Sequence, residues 1–397
     1  MHEAVILDAV RTPIAKGKPG GGLYETHPVD ATAHVLKALV ERNGIDPAQI
    51  DDVIAGAVGQ AGEQSLNLGR NAVLAAGFPE HVPATTIDRQ CGSSQQAAHF
   101  GAQGVIAGAY DLVIAAGVES MSRVPMGFAV AGRNPFGDAM MQRYPGGLIP
   151  QGIAAERIAL KWGFSREQLD GLALRSHLLA AAAEDAGYFD NEIVPIEVPD
   201  GAGGTRLFAR DEGIRRETTL EALAGLKPAF YDAAWEDQFP GLPWVVTAGN
   251  SSPINDGASA VLIASPGKAA ELGLRPRARF HTFAVTGDDP LMMLTAVIPA
   301  TFKALQRSGL SIDDIDLFEV NEAFASVIAA WQAETGAPWD KVNVNGGAMA
   351  LGHPLGSSGA RLMGTLLNAL EQRDARYGMQ VMCEAGGLAN ATIIERL

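Results

Sequence analysis

Two cysteines, one histidine and one asparagine stand out as residues whose type and setting suit chemistry: Cys91, Cys383, His353 and Asn321. Cys91 lies in Asp88-Arg-Gln-Cys-Gly-Ser-Ser, where the β-type run Ala84–Ile87 meets a small-residue segment leading into a helical pattern. A thiol at such a strand-to-helix turn feels the helix N-terminus and its backbone N–H groups, which favour thiolate and lower the pKa. A small buried core cysteine is the other reading of the same segment. Cys383 closes an apolar run and opens Cys-Glu-Ala-Gly-Gly-Leu, a turn whose N–H groups could converge on an anionic oxygen. His353 sits among Gly346, Gly347, Gly352, Gly356 and Gly359, with Pro354 after it. Such a tight backbone path exposes an imidazole as a general base or oxyanion donor. Asn321 follows the run Leu317–Val320, where it could orient a water or, by local propensity, cap a helix.

Other chemistries lack their signatures. There is no CxxC, HExxH or clustered His/Asp spacing for a metal, no Gly-x-Ser-x-Gly around Ser93 or Ser120, and no phosphate-binding or dinucleotide glycine fingerprint. The composition narrows the class further. Of 397 residues 47% are hydrophobic and 19% charged, with 46 glycines, which suits a compact α/β enzyme of two or three domains rather than a disordered or collagen-like chain. A net charge of −15 without a long Lys/Arg run argues against nucleic acid or an anionic membrane as the main partner. Two cysteines make no disulfide framework and fit a reducing compartment. Neither a signal peptide nor a membrane-length apolar run is evident, so a soluble cytoplasmic protein is expected.

The elements that must position these residues repeat. Gly44 to Ile54 recurs as Gly309 to Glu319 at an offset of 265 (316 minus 51), and Gly92-Ser-Ser recurs as Gly356-Ser-Ser at 264. Asp111–Gly117 matches Gln380–Gly386, with Val113 placed opposite Val381 at 268. Each half alternates strand runs (4–8, 52–57 and 111–116; then 279–283, 317–320 and 380–383) with helical patterns such as 31–42 and 300–308. That alternation predicts layered α/β structure. Residues 123–246 break the pattern and read as an insertion containing a helix near 165–187, while the apolar run within 245–266 offers the first half another strand.

With these segments in view, the whole chain resembles the thiolase family. The matching motifs are Val10-Arg-Thr-Pro-Ile14, Gln90-Cys91-Gly-Ser, Gly117-Val-Glu-Ser-Met-Ser122, Thr247 to Gly257, Asn321-Glu-Ala-Phe, Asn345-Gly-Gly-Ala to Gly352-His-Pro, and Cys383. The resemblance implies a thiolase fold, with duplicated halves in a five-layer αβαβα arrangement and an inserted loop domain. Its divisions here are 1–122 plus 247–275, 123–246, and 276–397. It implies CoA-dependent cleavage of a 3-ketoacyl-CoA to acetyl-CoA and a shortened acyl-CoA. Cys91 is then the nucleophile, His353 its base and an oxyanion donor, Cys383 the acid/base, and Asn321 the holder of an oxyanion water. The backbone N–H groups of Cys91 and Ala385 are further oxyanion donors. CoA is a co-substrate met by Ser252 and Lys227, no metal or permanent cofactor is needed, and a homodimer or homotetramer is expected.

Three departures bear on specificity. Ala385 replaces the first glycine of the usual Cys-x-Gly-x-Gly, adding a Cβ where a positive φ would be strained. Pro150-Gln-Gly stands in place of the His-Met-Gly of biosynthetic acetoacetyl-CoA thiolases, and Met292 to Pro299 lacks the usual Gly-x-Gly-Pro. These changes favour the degradative branch with an acyl group bulkier than acetyl. The alternatives are the biosynthetic condensation of two acetyl-CoA, a ketoacyl synthase type, against which Cys383 argues, and a non-catalytic acyl-CoA-binding protein.

Overall fold

The computed structural model describes residues 3–397. The strands along the path of its main sheet are β1 (Val5–Arg11), β2 (Asp52–Gly56), β3 (Ala84–Ile87), β4 (Leu112–Ser120), β5 (Asn255–Ala264), β6 (Ala278–Gly287), β7 (Leu317–Val320), β8 (Tyr377–Glu384) and β9 (Leu388–Arg396). Their order is β7-β8-β9-β6-β1-β5-β4-β2-β3. The two halves meet at two residue pairs of β1 and β6, Val5 with Arg279 and Ile6 with Ala278. Outward from that seam the halves repeat one another. In the first, β1, β5 and β4 are antiparallel neighbours and β4, β2 and β3 run parallel. In the second, β6, β9 and β8 are antiparallel, β8 and β7 run parallel, and a parallel bridge from Phe318 to Val342 stands where β3 stands in the first.

The registers correct one sequence alignment. Asp52 pairs with Val113 and Leu317 with Gly378, so Val113 corresponds to Gly378 at an offset of 265 (378 minus 113), not to Val381. The apolar runs are alike at both offsets, and only the hydrogen-bonding register separates them.

Alternate residues of β4 face two different cores. Leu112, Ile114, Ala116 and Val118 pack beneath the helix Pro28–Arg42 (α1), while Val113 and Ala115 face a central layer. Both faces are buried, so the strand reads as an unbroken apolar run. The central layer holds two equivalent helices of 15 residues, α2 (Ser93–Ala107) and α3 (Ser358–Gln372), again 265 apart. They contact through small residues. A methyl at Gly359 would run into the backbone nitrogen of Gln95. The second outer layer carries the helices Val297–Ser308 and Ala325–Thr335. Helix, sheet, helix pair, sheet and helix make the five layers expected of a thiolase fold.

Most strands extend beyond their apolar runs, as β4 does to Ser120, because pairing continues through small and polar residues. Strand β9 was not foreseen, since Ala389-Asn-Ala-Thr392 lacks an apolar run, although all four residues are buried between β8 and β6. Residues 121–254 connect β4 to β5 and include the helix Arg166–Asp185, begun by a capping box between Ser165 and Gln168. No helix among the described residues is long and apolar enough to cross a membrane.

The helix contact is testable with a matched pair of glycines. Gly359→Ala should destabilise by about 1–3 kcal/mol through overpacking. Gly171→Ala, on an open face of the helix Arg166–Asp185, should stabilise by about 0.5–1 kcal/mol. Chemical denaturation of the two variants beside wild type checks both signs.

Candidate active site

Cys91 sits between the end of β3 and the first turn of α2. Gln90 before it has φ 49°, a left-handed conformation that a side chain adopts only under constraint. Ser93 supplies the constraint. Its hydroxyl accepts from Arg89 N–H at 2.9 Å and donates to Gln90 O at 2.6 Å, while Asp88 Oδ1 accepts from Gln90 N–H at 2.6 Å. The thiol is buried among Met121, Leu355, Leu362 and Met382.

His353 is held by the glycine-rich path foreseen for it. Gly352 has φ 107°, and a Cβ there would collide with Asn255, whose Oδ1 accepts from His353 N–H at 3.0 Å. Three residues on, Gly356 N–H donates to Glu119 Oε2 at 2.9 Å. Glu119 also accepts from Val58 N–H, Gly59 N–H and the Gln64 amide, so one buried carboxylate joins β4, the loop after β2 and the His353 turn. The imidazole itself is fixed by Ser358. That hydroxyl donates to Pro354 O at 2.8 Å and so accepts from His353 Nδ1–H at 2.6 Å, which leaves Nε2 as the basic nitrogen.

Asn321 meets both of the other groups. Its Nδ2 lies 3.4 Å from His353 Nε2 and 3.8 Å from Cys383 Sγ. It caps no helix, because the following helix begins after Phe324, and the N-cap expectation is corrected accordingly. Asn343 brackets the preceding Val320 through its N–H and C=O, both at 2.8 Å, and so fixes the direction in which Asn321 leaves the strand. Glu322 points elsewhere and accepts from Ser176 Oγ, Asn343 Nδ2 and Met349 N–H, tying the Arg166–Asp185 helix to this turn.

The titration behaviour reverses one expectation. Burial pushes the Cys91 thiol well above its ordinary value, and Cys383, Glu384 and Glu119 push in the same direction. The helix N-terminus does not overcome the loss of water. Cys383 rises to about 12, chiefly by burial, despite the opposing Asn321 amide. His353 falls to about 3 through burial and the nearby Arg361 cation. The resting site is therefore two thiols beside a neutral imidazole.

Ala385 is also easier than expected. Its φ is not positive; the left-handed positions of the turn are Gly386 and Gly387, at 82° and 79°. The added Cβ costs no backbone strain.

Above the site is a cavity of about 570 Å³ with a mostly apolar lining that includes Met121, Phe230, Phe324 and Leu355, with His353 and Ser252 among its polar members. A second cavity of about 340 Å³ shares Met121, Met126, Gln151 and Leu355 and reaches Gln90 beside Cys91. Lys227 is exposed and lines neither, although Ala229 and Phe230 nearby line the first. Arg215 is the one charged residue on the lining of the larger cavity. Sequence reading passed over Arg215, Asn255, Glu119 and Ser358. Ser358 carried the clearest signal, five residues after His353 within Gly-Ser-Ser-Gly, but that run was read only as a repeat. No group of His, Cys, Asp and Glu side chains among the described residues is arranged to hold a metal.

Comparison with known proteins agrees with this architecture. Residues 4–267 match the family model described as Thiolase, N-terminal domain, and residues 274–396 the one described as Thiolase, C-terminal domain. A steroid 3-ketoacyl-CoA thiolase of Mycobacterium tuberculosis is 48% identical over 100% of this chain and 95% of its own length. A 3-ketoacyl-CoA thiolase of Aliivibrio fischeri is 44% identical over 100% of both chains. Among solved structures, the Bacillus anthracis acetyl-CoA acetyltransferase superposes with a TM-score of 0.89 at 38% identity, covering 100% of this chain and 99% of the other. Human mitochondrial 3-ketoacyl-CoA thiolase gives 0.88 at 36% with the same coverage. The matched models together span nearly the whole chain, and with these full-length relatives they place it in the thiolase family.

Proposed function

We propose that this protein is an acetyl-CoA C-acyltransferase that cleaves a 3-ketoacyl-CoA with CoA, through an acyl-enzyme on Cys91. The observation that carries the reading is the convergence of His353 and Cys383 on Asn321, with Cys91 close enough for Cys383 to raise its thiol further.

The chemistry then follows from the groups present. Cys91 gives its proton to His353 Nε2 as sulfur adds to the 3-keto carbon. Nε2–H, now a donor, faces the developing oxyanion together with a water on Asn321, whose Oδ1 makes no hydrogen bond within the described residues. The C2–C3 bond breaks, and acetyl-CoA leaves as an enolate that takes the proton of Cys383. A thiol with a pKa near 12 holds that proton at neutral pH and suits the acid role. CoA then loses its thiol proton to Cys383 and attacks the acyl carbon, with the Ala385 N–H as oxyanion donor. Cys91 departs and recovers its proton from His353. Proton transfer from a raised thiol to a depressed imidazole is uphill in the empty site, so it accompanies carbon–sulfur bond formation rather than preceding it.

Two adjoining cavities support an acyl group larger than acetyl, with the pantetheine arm beside Ser252 and phosphates toward Arg215 or Lys227. Residues 123–246 act as the lid of this space. Fatty or side-chain β-oxidation is the setting we infer. Both thiols must stay reduced, which suits the cytoplasm, and the family resemblance supports a homodimer or homotetramer.

Cys91→Ala should abolish the acyl adduct detected by intact mass spectrometry while keeping the melting temperature within a few degrees. A normal adduct on that variant would refute the nucleophile. Ser358→Ala removes the acceptor that fixes the imidazole tautomer and should lower kcat by roughly 10²-fold or more, within the range for general-base catalysis, as measured by thiolysis of a 3-ketoacyl-CoA. Across a panel of linear and cyclic 3-ketoacyl-CoAs, kcat/KM should be greater for bulkier chains than for acetoacetyl-CoA. Equal or higher values for acetoacetyl-CoA would favour the biosynthetic enzyme.

A further inference from the structure

Glu384, next to Cys383, turns its side chain to the opposite face of the strand, as alternate residues do. Its carboxyl comes to rest against Gly92, the residue after Cys91, where a Cβ would collide with Oε1. Glycine is needed there for close approach, since its φ of −87° is open to any residue. Glu384 is 0% exposed, and neither carboxyl oxygen has a hydrogen-bond partner within the described residues. Its buried counterparts differ. Glu119 collects four donors and Glu322 three, whereas Glu384 has none. A buried carboxyl without donors keeps its proton far above the ordinary carboxylate range. The cleavage steps make no use of it.

Four charged or titratable groups share its surroundings. Arg89 and Asp88, on the turn before α2, act on Glu384 with opposite sign. Cys91 and Cys383 feel Glu384 directly, and Glu119 from β4 bears on Cys91 as well. We propose that Glu384 is a positioning residue for the nucleophile: its carboxyl and the Cys91 thiol share a corner in which two negative charges oppose one another, so an ionised Glu384 holds back formation of the thiolate. This rests on the assignment of Cys91 as the nucleophile. Glu384, with the lower ordinary pKa, ionises first as pH rises, and its carboxylate then delays the thiol.

The test is the pH dependence of Cys91 alkylation by iodoacetamide in the full-length, substrate-free enzyme, quantified on the Cys91 peptide by mass spectrometry. Glu384→Gln keeps the shape and cannot ionise; Glu384→Leu removes the polarity too and serves if the amide folds poorly. In both, the midpoint of alkylation should fall by at least one pH unit, or about tenfold more thiolate at a given pH below it. A merely structural role would leave the midpoint unmoved. Curves that overlap wild type, or a shift in the leucine variant beside a folded glutamine variant that does not shift, overturn the proposal. Acyl-adduct formation on wild-type Cys91 is scored separately, and its absence would refute the nucleophile rather than the sharing of charge.

Discussion

The chemistry proposed for this site creates negative charge on sulfur and on oxygen among buried residues, and the surrounding structure is arranged around that conflict. Burial raises both thiols and depresses His353, so the resting groups are neutral. Interior charge is costly unless donors surround it. A neutral resting site carries no such cost, and oriented N–H groups meet the charge only when it develops. Stabilisation is then confined to the transition state, where it increases rate.

The same rule decides which buried carboxyls serve the scaffold. Glu119 sits amid four donors and draws the end of β4, the loop after β2 and the His353 turn to one point. Glu322 does this between the Arg166–Asp185 helix and the turn that follows Asn343. Each links segments from different parts of the chain, which is how residues more than two hundred positions apart reach ångström-scale register. Ser93 and Ser358 perform the finer adjustment, one securing the left-handed Gln90 and the other the tautomer of His353.

Much of this was legible beforehand. The duplicated halves, the turn at Cys91 and the glycine path at His353 follow from residue type and spacing, and family motifs supplied the partnership of the four side chains proposed as catalytic. The remainder depended on tertiary context. Whether a thiol at a helix start is acidic depends on how much water it loses, which no local pattern reports. Asn321 looked like a helix cap because local propensity sees only the next few residues, whereas its side chain is directed by Asn343 and received by His353 and Cys383. Strand β9 was hidden because Asn390 and Thr392 are polar yet buried, and Thr392 accepts from Gln95 of α2. The Val113 repeat slipped by three residues because uniformly apolar strands look alike at neighbouring registers.

The seam between the halves has a mechanical consequence. Strand pairing there is limited to the two pairs of β1 and β6, flanked by backbone hydrogen bonds from Arg277 N–H to Ile6 O and from Phe280 N–H to Ala4 O, while α2 and α3 touch along glycine and small side chains. Other links between the duplicated units are side-chain hydrogen bonds, among them Gly356 N–H to Glu119, His353 N–H to Asn255 and Gln95 to Thr392. Two of these links hold the His353 turn itself, so the seating of one unit on the other and the aim of the imidazole are a single mechanical feature.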